Sequence, residues 1–231
     1  MSITTFAELQ TAVGARFNRS DMTSVLPEFI ASAEVDINAR LSLDPVRPMM
    51  TGTSGTISAE TLAMPANLIN VIYLEISDGT TTWEVPYYAP ENVSQLQPLS
   101  DAFINQVDTL FGVSTSPIRA YTIIGSDFRF FPVPASSVTY SLRYWLKVPA
   151  LSVSNTTNWL LTAHHTAYLY GAMAHACVWT GDFENVEGYQ SAFSAAMDGV
   201  IASYPTRTDS TPLRSEISPR HILSPNSWMN Q

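Results

Sequence analysis

The sequence predicts an α+β fold in which helices at both ends of the chain flank an antiparallel β region, with an extended arm closing the C terminus. Three observations lead there. Residues 159–180, WLLTAHHTAYLYGAMAHACVWT, hold no Asp, Glu, Lys or Arg, and small or apolar side chains recur nearly all round a helical wheel. From Gly52 to Pro149 the period shortens to that of strands, with Thr, Val, Ile and aromatics in short runs between Gly, Pro and Asp-Gly turns. After Pro205 no period survives.

Taken in order, Thr5 with Glu8 forms a capping-box pattern, and Phe6, Leu9, Val13 and Phe17 follow at helical spacing, so a first amphipathic helix ends near Asn18. A second helix starts between Ser24 and Pro27, proline being tolerated in a first turn. Its buried stripe is Phe29, Ile30, Ala33, Ile37 and Leu41, and Asp44-Pro45 and Arg47-Pro48 end it. Strands are predicted over 55–64, 68–77, 81–86, 120–124, 127–132 and 138–147, with Asp78-Gly79 and Gly125-Ser126 as tight turns between neighbours. Residues 90–111 interrupt them and keep a rough helical phase through Val93, Leu96, Phe103, Val107 and Leu110.

The charge-free helix places Leu161, Tyr168, Ala172, His175 and Trp179 on one side and Leu160, Ala167, Gly171, Ala174 and Val178 on another, which predicts burial on several sides. A membrane span of that length would put His164, His165, His175 and three threonines into hydrocarbon without Lys or Arg anchors at its ends, so a central bundle helix is preferred and no membrane insertion is expected. Ala172, Ala174 and Ala176 around Gly171 allow close packing within the subunit or against a neighbouring one. Gly181 ends the helix and Asp182 caps the next, whose stripe is Val186, Tyr189, Phe193, Met197, Val200 and Tyr204; Pro205 stops it.

Composition narrows the function. The 231 residues are 45% hydrophobic and 11% aromatic, ordinary for a globular chain, but only 13% are charged, which suits polar uncharged surfaces in contact with other chains. A net charge of −9 argues against phosphate-neutralising affinity for nucleic acid, while an acidic wall still suits a passage along which DNA must slide. The sole cysteine, Cys177, permits no internal disulfide, and the N terminus lacks a basic region followed by an apolar core, so no secretory signal is expected and folding is placed in a reducing cytoplasm.

Chemistry-bearing constellations are weak. His164 and His175 lie about three helical turns apart and cannot share one ion, and His175 and Cys177 point to different sides, so no metal, cofactor or catalytic residue is expected. Gly52-Thr53-Ser54-Gly55 lacks nucleophile-elbow spacing, and Asp101, Asp108 and Asp127 stand alone. Phe128, Phe130, Phe131, Tyr140, Tyr144 and Trp145 alternate along strands and suit a sheet core better than a stacking platform, because only Arg129, Arg143 and Lys147 are nearby.

One ordered series goes further: Leu26-Pro27-Glu28-Phe29-Ile30 with Ala33-Glu34, Pro117, Tyr121, Gly125, Pro132-Val133-Pro134, Tyr140 to Tyr144, Pro149-Ala150-Leu151, Thr157-Asn158-Trp159-Leu160-Leu161, and Tyr168-Leu169-Tyr170-Gly171-Ala172. It resembles tailed-phage head-to-tail adaptor proteins, the podovirus tail tubular A type among them, from about Thr5 to Tyr204. His164-His165-Thr166 departs from the family pattern, which has an acidic residue there. The resemblance implies a helical bundle built from both ends of the chain (1–48 and 151–205), an inserted β domain (49–150) and a C-terminal arm (206–231).

It also implies a virion structural protein at the head-tail interface. Such a protein forms a ring, typically twelvefold, binds the portal protein and a tail nozzle or other tail protein, and surrounds the DNA during genome ejection. Assembly is expected in the host cytoplasm. The tail carries Pro212, Pro219 and Pro225 with Arg207, Leu213, Arg214, Ile217, Arg220, Ile222, Leu223, Trp228 and Met229, and is read either as an arm that orders on a partner or as a disordered tail. The resemblance makes it the candidate portal-docking segment. Leu161, Tyr168, Gly171, Ala172, His175 and Trp179 are the candidate packing positions. A carbohydrate- or nucleic-acid-binding β module of a tail is the alternative function.

Overall fold

A computed structural model describes residues 3–17, 21–92, 118–134 and 136–205. Helices α1 (Phe6–Phe17) and α2 (Leu26–Leu43) lead through a short 3-10 turn, Arg47–Met49, into strands β1 (Met50–Ile57), β2 (Thr61–Ala63), β3 (Leu68–Ser77), β4 (Thr82–Glu84), β5 (Ala120–Ile124), β6 (Asp127–Phe131) and β7 (Val138–Leu146). Helices α3 (Trp159–Thr180) and α4 (Phe183–Ser203) complete the order. The protein is therefore α+β, with helices from both ends of the chain and the sheets inserted between α2 and α3.

The helices share one core. Leu9 and Val13 of α1, Phe29, Ile30, Ala33, Ile37 and Leu41 of α2, Tyr168, Ala172 and Met173 of α3, and Met197 and Val200 of α4 all lie in it. The predicted stripes of α1 and α2 are thus the buried faces. At the start of α1 the capping box forms: Thr5 Oγ1 accepts the Glu8 N–H at 3.3 Å, and Glu8 accepts the N–H of Thr5 at 3.0 Å and of Thr4 at 2.7 Å. Those donors, Thr4 first, hold the Glu8 carboxyl below its usual value.

The strands form two antiparallel sheets, β1-β7-β3-β4 and β2-β6-β5, whose inner faces meet in a second core. Leu74, Ile76, Leu142 and Tyr144 come from the first sheet and Tyr121, Phe128 and Phe130 from the second. The Asp78-Gly79 turn closes β3 on β4, with Gly79 at φ 93° and Asp78 Oδ1 accepting the N–H groups of Thr80 and Thr81 at 2.8 and 2.9 Å. Gly125, at φ 65°, turns β5 into β6.

Three expectations need correction. The strand expected over 55–64 is two strands in different sheets: β1 begins at Met50, and the chain crosses after Ile57 to β2. Propensity hides the start of β1 because Gly52 and Gly55 lack side chains, and β7 supplies the cover instead, the Tyr140 ring lying over Gly55 and the Arg143 stem over Gly52. Asp182 precedes α4 without capping its backbone, its carboxylate taken by the Asn185 side-chain amide at 2.8 and 3.0 Å. Helix α3 is kinked: His164 has φ −139° and ψ 53°. Its first turn is held separately, by Asn158 and by Trp159 and His164 packing edge-on to Tyr204, and the main run then aligns with α2 and α4. Of residues 90–111, Pro90–Asn92 form a 3-10 turn and the remainder lie outside the described residues.

Candidate functional site

An unbroken apolar helix is stable in water only if neighbours cover it, and α3 is covered on several sides. Leu160, Leu161, Ala167, Tyr168, Gly171, Ala172, Met173, Ala174, Ala176 and Cys177 are all buried. Glycine at 171 permits the closest approach: a Cβ built there would sit 3.0 Å from Ala33 Cβ on α2 and 3.3 Å from the Phe193 ring on α4. The six packing positions separate by environment. Leu161, Tyr168, Gly171 and Ala172 are interior, His175 is half-buried with Nε2 2.8 Å from Asp36 Oδ2, and Trp179 is half exposed, its ring tilted on Phe29 at 5.9 Å. A Schellman ending follows, with Gly181 at φ 76°, its N–H bonded to Val178 O at 3.3 Å and the Asp182 N–H to Cys177 O at 2.9 Å.

The motif residues of the ordered series converge where bundle meets sheets. Asn158 caps α3, its Oδ1 accepting the Leu161 N–H at 2.8 Å while Nδ2 donates to Pro149 O and to the Tyr168 hydroxyl, each at 2.7 Å. From α2, Glu34 Oε1 accepts the Leu151 N–H at 2.7 Å and Asn38 Oδ1 the Val148 N–H at 2.9 Å. One helix thereby grips the chain returning from β7 at two points. Burial raises the Glu34 carboxyl above its usual value, the Leu151 N–H offsetting part of that. The Tyr168 phenol is pushed up by burial, opposed by the Asn158 amide and reinforced by nearby Glu34.

The sequence pattern marks Glu34 only as a member of the ordered series and does not mark Asn38 at all. A signal for both was nonetheless present: each is a polar residue on the inward side of an otherwise apolar helix, four residues from the other, and such groups are tolerated only with partners.

Among the described residues no three His, Cys, Asp or Glu side chains gather around a possible metal position. Cys177 is buried, and desolvation followed by the Asp182 charge pushes its thiol up, away from a reactive thiolate. No helix among the described residues is long and apolar enough to cross a membrane. Phe128, Phe130, Tyr144 and Tyr140 belong to the sheet core, whereas Phe131 lies under the Arg129 guanidinium at 5.4 Å and Trp145 packs toward the helical core. Asp101 and Asp108 lie outside the described residues, as do Arg207, Leu213, Arg214, Ile217, Arg220, Ile222, Leu223, Trp228 and Met229 of the arm.

Exposed apolar side chains among the described residues include Val35 and Leu43 on α2, 69% and 84% exposed, and Val178, Trp179 and Phe183 at the α3–α4 corner. A charge-poor chain with a stapled junction and exposed apolar side chains has features that suit contact with other chains. Comparison with known families agrees. Residues 4–216 match the family described as SU10 adaptor protein, a phage head-to-tail adaptor family, and the chain belongs to that family. It is a structural component of a bacteriophage virion at the head-tail junction. No curated protein matches the chain.

Proposed function

We propose that this chain is the repeating subunit of a ring, twelvefold as is typical of such adaptors, that joins the portal to a tail nozzle or other tail protein and leaves a channel for DNA. The observation that carries the reading is the family match across residues 4–216. Exposed Val35, Leu43, Val178, Trp179 and Phe183 support it, since apolar side chains left in water are the kind an assembly covers. The net charge of −9 suits a wall past which a polyanion moves without sticking. The helical parts, 1–48 and 151–205, act as the rigid body of the ring and the β part, 49–150, as an inserted module.

The arm, 206–231, docks on the portal, with Leu213, Ile217, Ile222, Leu223, Trp228 and Met229 as apolar anchors and Arg207, Arg214 and Arg220 as charged ones. Its folding cost is met on docking. Assembly takes place in the host cytoplasm, and the ring carries out no chemistry. The test is co-sedimentation with the portal ring of the same phage, using the full chain and a version ending at Tyr204. Binding by the full chain alone is the expected result; equal binding by both overturns the arm assignment, and binding by neither overturns the portal-joining role.

A further inference from the structure

We infer that a groove between α1 and α3 is the docking site for the first part of the C-terminal arm, residues 206–216 of the same chain, in the free subunit. The contact stands without the portal reading, and it adds where the arm is held before docking. The groove has a volume of about 400 Å³. Ala12 and Ala15 of α1 and Leu169 and Tyr170 of α3 give it an apolar lining, and Glu8 and Arg16 flank it on the α1 side. An apolar trough of this kind is left in water only at a cost that a covering segment removes.

Position favours this occupant. The Tyr204 ring packs edge-on to Trp159 at 5.9 Å and to His164 at 5.7 Å, and the next residue, His165, lines the groove. The chain therefore leaves α4 beside the groove. A segment tethered there meets it at high effective concentration, so modest contacts hold it where an untethered copy would not stay. The family match also runs past the end of α4 at Ser203 to residue 216, which brings the same stretch into the matched region.

The order of charges agrees. The Phe6 N–H bonds to Thr156 O at 2.7 Å, so α1 starts near the start of α3, and Glu8 is closer than Arg16 to the point where the arm departs. Neither of the two forms an ion pair with another described residue. Along the arm the cation comes first and the acid last, Arg207 before Glu216, with Pro212-Leu213 as the apolar pair between them. Laid outward from Tyr204, the arm brings Arg207 to Glu8, Leu213 to the apolar lining and Glu216 to Arg16. Length permits it: Glu8 and Arg16 are about 12 Å apart along the helix axis. The stretch from Arg207 to Glu216 reaches about 30 Å when extended.

Two measurements on the full-length protein test this. Trypsin should cleave wild type after Arg207 and Arg214 about tenfold more slowly than it cleaves the same bonds in a synthetic peptide of residues 205–231, while cleavage after Arg220, beyond the held segment, proceeds alike in both. In dilute, oxidised Ala12→Cys/Leu213→Cys protein an intramolecular disulfide should form about tenfold faster than in Ala12→Cys/Trp228→Cys, wild type being the control because its Cys177 is buried. Cleavage after Arg207 and Arg214 as fast as in the peptide overturns the inference. Protection without the faster disulfide puts the segment elsewhere and overturns the groove as its site. Disulfide-linked dimers in place of the intramolecular bond mean that the groove takes the arm of a second copy, which overturns the same-chain assignment. Portal co-sedimentation reads the portal-joining role separately, since neither measurement contains the portal.

Discussion

Adding one methyl group at two glycines should move stability in opposite directions. At Gly171 a new Cβ would lie 3.0 Å from Ala33 Cβ and 3.3 Å from the Phe193 ring, whereas at Gly188 on α4 nothing lies within 4 Å. Carbon atoms rest about 3.5 to 4.0 Å apart, so Gly171→Ala demands about 0.5 Å of give. Phe193 can tilt, but Ala33 Cβ is fixed to the α2 backbone and has no rotamer to yield. Overpacking of this kind costs about 1–3 kcal/mol. Replacing a helical glycine by alanine returns about 0.5–1 kcal/mol. Gly171→Ala should therefore lose about 1 kcal/mol net, and Gly188→Ala gain about 0.5–1 kcal/mol. For a chain of this size that difference separates the thermal midpoints by about 5 °C. Far-UV circular dichroism on both variants measures it, and a Gly171→Ala midpoint raised as far as that of Gly188→Ala refutes the close packing of α2, α3 and α4.

Three further outcomes follow from the junction and the chain end. Because burial raises the Glu34 carboxyl above 4.5, the native state keeps a proton that the unfolded chain has lost as pH rises past that value. The stability it contributes is full below the unfolded value and lost as pH climbs through the folded one, a tenfold difference in proton affinity between the two states being worth about 1.4 kcal/mol. Glu34→Gln should then be more stable than wild type at neutral pH, with the gap closing toward pH 4.5 in urea titrations; a pH-independent gap would sink the argument. Asn158→Ala should cost about 2–3 kcal/mol, about 1 for the α3 cap and the rest for the buried Tyr168 hydroxyl left without its amide, against about 1 for Tyr168→Phe. Equal losses in denaturant melts would show that the cap contributes nothing. The chain ending at Tyr204 should unfold as cooperatively as the full chain, since Met197 and Val200 remain in the core, and loss of the soluble cooperative protein would contradict that.

Periodicity made the helices legible because each carries an apolar face that one core absorbs. The C-terminal end of α3 was readable from Gly181, a left-handed stop, whereas the Asn158 cap at its start was not singled out. Its kink was not readable, because His164 leaves the helical region through contacts with Tyr204, forty residues on in the sequence. β1 escaped for a related reason: its glycines are poor strand formers alone, and the Tyr140 and Arg143 side chains that cover them belong to β7. The junction was half legible. Asn158 and Glu34 stood in the ordered series, but their partners are backbone groups of Pro149 and Leu151, and a sequence pattern does not say which main-chain atoms a side chain will meet.

The grip of α2 on the returning chain has a mechanical meaning. Residues 44–49 carry the chain out from the end of α2, and Asn38 and Glu34 of the same helix hold it on the way back, so both crossings between sheets and helices are anchored on one rod. A tug on the sheets loads α2 from its covalent end and, a turn or two further in, through two hydrogen bonds to successive stretches of the return strand. The rod shares the strain with α3 along the Ala33–Gly171 seam before either crossing can stretch alone. Sheets and helices are thus linked through α2 at both crossings, so a load on one reaches the other by way of that helix.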